Sequence, residues 1–162
     1  MPRNHAVVLL LLTSLSAAAS AAAQSIADVS IAFDKMQPLE HRFALARSNL
    51  QDMSKALDGG QFTATHEMVA GAGQFYGLFE AAGWLGLALT GGKCSEDLEL
   101  HRLLFGEAAT DLVTEGDRLL REMNQLLTVV HNPAALDAAT KMRDVVAEIR
   151  DTFRPFSQSA EK

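Results

Sequence analysis

NPAALDAATKMRDVVAEIRDTFRP, residues 132–155, decides the fold. Ala135, Ala139, Met142, Val146, Ile149 and Phe153 recur in alternating steps of four and three, while Lys141, Arg143, Asp144, Glu148, Arg150 and Asp151 take the other faces. That rhythm is the seam of an amphipathic helix packed against neighbours. Asn132 offers a capping side chain, Pro133 suits a first turn, and Pro155 stops the run. The spacing predicts a helix over 133–153.

Upstream, Phe105, Ala109, Leu112, Gly116, Leu119, Met123, Leu126 and Val130 repeat the pattern over 95–130, with Ser95 as a cap and Glu96 and Asp97 at the positive end of the helix dipole. A segment over 61–90 carries Phe62, Thr65, Val69, Ala72, Tyr76, Phe79, Gly83 and Leu87, bracketed by Gly59-Gly60 and Gly91-Gly92 as breakers. The first helical segment has two stripes, Ile26 to Met36 and Leu39 to Leu57, out of step beside Pro38. A kink or a short separate helix is expected there. With short connections and no strand-period segment, the expected fold is all-α: an antiparallel up-down four-helix bundle over 24–153, with a kinked first helix, a short fourth helix and a flexible tail over 154–162. His-Arg occurs at 41–42 and 101–102, but the likeness does not extend into a repeat.

Residues 1–23 have the layout of a secretory signal peptide: Arg3, the apolar run Ala6 to Leu12, then small residues ending Ala21-Ala22-Ala23. The run is too short to span a bilayer. Cleavage before Gln24 leaves a chain of 139 residues, 24–162, exported to a bacterial periplasm or secreted. Losing Arg3 moves the formal charge from −6 to −7. So acidic a chain has no broad attraction for phosphate backbones, and nucleic-acid binding is not expected.

The stretch GAGQFYGLFEAAGWLG, residues 71–86, sets glycines beside Phe75, Tyr76, Phe79 and Trp84. Each mid-helix glycine costs about 1 kcal/mol relative to alanine, so compensating close packing is expected. The stretch lacks the third glycine of a dinucleotide fingerprint. Gly73-x-x-x-Gly77 resembles a membrane-helix pairing motif, yet Gln74 and Glu80 lie mid-segment and no stable membrane span is expected.

Helix lengths point to a surface. Folding back around residue 132 sets Phe153 level with residue 111, leaving 95–110 extending about 20 Å beyond the fourth helix. Trp84, Leu85, Leu87, Leu89, Leu103 and Leu104 fall in that uncovered end, together with Phe105. The first helix before Pro38, the tail, or a second molecule must cover it. A partner protein or a homodimer is therefore expected there.

Glu80, flanked by apolar residues, is expected to be partly buried near His41, Arg42, His101 and Arg102, as an ion pair or a polar spot in a ligand pocket. No Glu-x-x-His pairs of the di-metal type and no C-x-x-C-H occur; a haem would need Met36 or Met53 with His101. No cofactor or metal is expected. Cys94, the only cysteine, excludes an internal disulfide and leaves an intermolecular bridge, a free thiol or thiol chemistry. With no G-x-S-x-G, H-E-x-x-H or P-loop, the reading is a non-enzymatic exported bundle that binds another protein or itself; the alternative is a small-ligand, haem or metal-binding bundle.

Overall fold

The computed structural model describes residues 26–91 and 98–157. The expected leader, residues 1–23, and Cys94 with its turn lie outside them. Four helices follow in order: α1 Ile26–Ser54, α2 Gly59–Thr90, α3 Leu98–Leu127 and α4 Pro133–Phe153, then a 3-10 turn, Arg154–Phe156. Each helix packs on its neighbours in sequence, α1 closes on α4, and α2 touches α4 across the diagonal. This is the four-helix bundle, with no strand among the described residues. None of the described helices is long and apolar enough to cross a membrane.

The seams of α3 and α4 are buried as their spacing requires. All six α4 positions from Ala135 to Phe153 lie in the core, as do Phe105, Ala109, Leu112, Gly116, Leu119 and Met123 on α3. Asn132 caps α4 by accepting from the N–H groups of Ala134 and Ala135, both at 3.1 Å. The helix expected to reach residue 130 ends at Leu127 because Thr128, Val129 and Val130 bond three residues back instead of four.

On α2 the expected stripe is right in the middle and drifts at both ends. Val69, Ala72, Phe79 and Gly83 are buried, whereas Phe62 and Leu87 are exposed and Met68, Phe75, Ala82, Gly86 and Leu89 take core positions. A strict seven-residue repeat rotates about 20° per heptad against a straight helix, and α2 is 32 residues long. Gly59 and Gly60 open this helix rather than precede it; Gly59 has φ +52°, a region that favours glycine.

α1 runs through Pro38 as one helix, so of the kink or separate helix expected there the separate helix does not form. Pro38 and Asp34 both face solvent, where water can take the carbonyl that proline leaves unpaired. The glycine-aromatic stretch does interlock. A Cβ at Gly83 would collide with the end of Met36, and one at Gly116 would meet Arg150 at 3.0 Å and Phe75 at 3.1 Å. Gly77 is the exception, exposed with open space around it.

Candidate functional site

The end of the bundle expected to extend beyond the fourth helix is largely covered from within the chain. Phe153 reaches Phe105, six residues beyond the level expected for it, with ring centroids 6.3 Å apart. The tail expected to be flexible from Arg154 onward begins as a packed turn that sets Phe156, 8% exposed, edge-on to Phe105 at 5.3 Å. From the other side, Met36 lies over Gly83, and Val29 and Phe105 lie over Gly86. The arm before Pro38 and the start of the tail thus share the cover.

Of the expected surface residues, one belongs to this core and one packs against it. Leu89 is buried because it follows Phe79, Ala82 and Gly86 in steps of three and four, and Leu85 is half-buried against the same cluster. Trp84 at 71% exposure, with Leu87, Leu103 and Leu104, stays outside, and Leu100 joins them. In the α2–α3 register, Gly71 meets Leu119 and Gly86 meets Phe105. Trp84 and Leu87 therefore lie level with the Leu103–Leu104 stretch.

Beside Trp84, α1 and α2 frame a groove of about 400 Å³. Phe33, Met36, Phe79, Gly83, Trp84 and Leu87 form its apolar lining, and Asp34, Gln37, Glu40 and Glu80 its polar part. No lysine, arginine or histidine lines it. The register of α1 on α2 produces this set: Met36 on Gly83, Phe43 stacked on Tyr76 at 5.2 Å, and the Tyr76 hydroxyl donating to Glu40 at 2.8 Å. Burial and the Glu40 carboxylate push the Tyr76 phenol well above its ordinary range, and Glu80 adds to the effect. Tyr76 thus keeps its proton and donates it in a hydrogen bond to Glu40.

The polar cluster expected around Glu80 does not assemble. Glu80 is exposed rather than partly buried, because it projects from α2 on the same face as Trp84. Arg42 reaches away to Glu148 on α4 at 2.7 Å, and Arg102 pairs with Glu99 on its own helix at 3.2 Å. His41 is exposed on α1. Half-buried His101 sits about nine residues along α3 from the level of Glu80, about 13 Å at the rise of a helix. Met53 lies at the α1–α2 turn, at the opposite end from His101, and Met36 is committed to Gly83. Among the described residues, no group of three or more His, Cys, Asp or Glu could hold a metal ion.

Glu80 and Trp84 were visible in the sequence as neighbours on one helix. Asp34, Gln37 and Glu40 were not singled out, because on α1 alone they read as solvent face. Glu40, one turn after Met36 and two after Phe33, was the available signal. Compared with protein-family models, with curated proteins and with solved structures, the chain has no match.

Proposed function

We propose that the protein is an exported, non-enzymatic helical bundle that docks another protein chain at the end carrying Trp84. The observation that supports this reading is Trp84 itself, an indole left 71% exposed at the rim of a groove while the glycine beside it is sealed by Met36. Leu87, Leu103 and Leu104 are exposed at the same level of the bundle. An aromatic anchor among apolar side chains, ringed by charge, is the anatomy of a protein interface. The leader-like residues 1–23 support export.

Photo-crosslinking in the native host tests the reading. A photoreactive residue at position 84 or 103 is expected to give a covalent product with one other chain, and the same residue at exposed Gln125 is expected to give none. A product at twice the protein's own mass would identify the partner as a second copy. Absence of product from 84 and 103, or equal product from 125, would refute the docking surface.

A further inference from the structure

We infer that the groove between α1 and α2 seats a cationic amphipathic segment of the partner protein, its Lys or Arg side chain between Glu40 and Glu80 and its apolar side chain against Trp84 and Leu87. The inference rests on the docking reading and names the chemistry of the partner.

Charge complementarity carries it. Asp34, Glu40 and Glu80 border the groove, and none of them forms an ion pair among the described residues. Tyr76 donates to Glu40, and Glu80 stands close enough to the same phenol to help raise its pKa, so two like charges border one side chain. A cation placed there relieves their repulsion. The apolar lining accommodates the aliphatic stem of a lysine, and the exposed indole offers a ring face to a guanidinium or ammonium.

A second copy fits this surface poorly. Eight of the eleven described Lys and Arg residues already sit against carboxylates of their own chain, and the whole chain carries a formal charge of −6. Two acidic molecules approaching through acidic grooves repel. A small organic cation would fill the groove but leave Leu103 and Leu104, on α3, untouched. A basic amphipathic segment satisfies both features.

Trp84 is the sole tryptophan and reports directly on the groove. The purified protein is titrated with a synthetic amphipathic helix of Leu and Lys, with its Leu and Glu counterpart, and with hexylammonium, while Trp84 emission is followed. The Leu/Lys peptide is expected to shift the emission to shorter wavelength and saturate, to weaken with added salt, and to outbind the other two probes. In the double variant Glu40→Gln, Glu80→Gln its affinity is expected to fall about tenfold. Both positions are exposed, and glutamine still accepts from Tyr76, so the variant keeps its fold. Equal binding of the Leu/Glu peptide, or undiminished binding to the double variant, overturns the inference. Hexylammonium binding as tightly as the peptide makes the groove a small-ligand site and overturns it too. Crosslinks from 84 and 103 without charge preference in the titration would sink this inference alone; absence of crosslinks sinks the docking reading beneath it.

Discussion

Replacing Phe156 by alanine tests whether the end of the bundle is sealed from within. Phe156 lies beyond the last helix, yet it is 8% exposed and meets Phe105 at 5.3 Å, which in turn meets Phe153. Burying a phenylalanine contributes about 1.5–3 kcal/mol relative to leaving it in water. Core Phe→Ala changes cost about 3–5 kcal/mol once the cavity is included. Here a single 3-10 turn carries the ring, pinned by the Ser157 N–H and hydroxyl on the Arg154 carbonyl at 3.2 and 3.0 Å. That turn can settle into part of the void, which places the loss near about 2–3 kcal/mol. For a chain of this size the loss corresponds to a fall in Tm of about 4–12 °C. Thermal and urea unfolding followed by helical circular dichroism measure it, with an unchanged m value showing that the unfolded chain is not at issue. Phe153→Ala, at a position 1% exposed inside α4, serves as the reference and is expected to cost more. A loss below about 0.5 kcal/mol for Phe156→Ala would mean that the turn does not seal the end.

Three further outcomes follow from particular contacts. Gly77→Ala is expected to raise stability by about 0.5–1 kcal/mol, since a Cβ there meets nothing, whereas Gly116→Ala is expected to lower it by about 1–3 kcal/mol by pressing on the root of Arg150 and on Phe75; urea midpoints of opposite sign check the pair. Tyr76, the only tyrosine, is expected to show no phenolate absorbance in the folded protein at pH values where the urea-unfolded chain titrates around its ordinary 10.0. Because the folded state holds that proton more tightly, the contribution to stability is present below pH 10.0 and is lost as pH rises through the folded value; a folded midpoint at 10.0 would refute it. Glu115 has the opposite sign. Its hydrogen bond from Arg118 holds the carboxyl below 4.5, so its contribution is present above pH 4.5 and disappears as pH falls through the lowered value. Glu115→Gln is expected to flatten that acid limb by less than about 1 kcal/mol, the size of a partly exposed pair, in stability measured from pH 6 downward.

The helices were legible because burial writes itself into spacing, and the fidelity of the reading tracks how little each seam drifts. α4 turns only about six times between its cap and Pro155, so its stripe and its bounds match the structure. Along 32-residue α2 the same rule misassigns Phe62 and Leu87 to the core and misses Phe75, Ala82 and Leu89. The turn from α3 to α4 shows a different gap. The Gln61 side chain, from the start of α2, accepts from the N–H groups of His131 and Asn132 at 2.7 and 2.8 Å, a clamp between residues seventy apart that no local pattern announces.

The groove follows the same logic one level higher. Pairwise register decides which side chains face each other, and register is set by a few contacts that counting from loop to loop misplaces by several residues. On α3 the expectation brings His101 and Arg102 near Glu80; the observed pairing of Gly86 with Phe105 sets Glu80 about nine residues along α3 from His101. On α1 the observed register brings Glu40 rather than His41 to Tyr76. The cations that would have neutralised Glu80 are drawn elsewhere: Arg42 crosses to Glu148, where it ties α1 to α4, and Arg102 stays with Glu99. The acidic character of the groove is thus a consequence of packing on the other side of the bundle. Glu40 and Arg42, two residues apart, take opposite sides of α1, so the carboxylate borders the groove while the guanidinium meets α4.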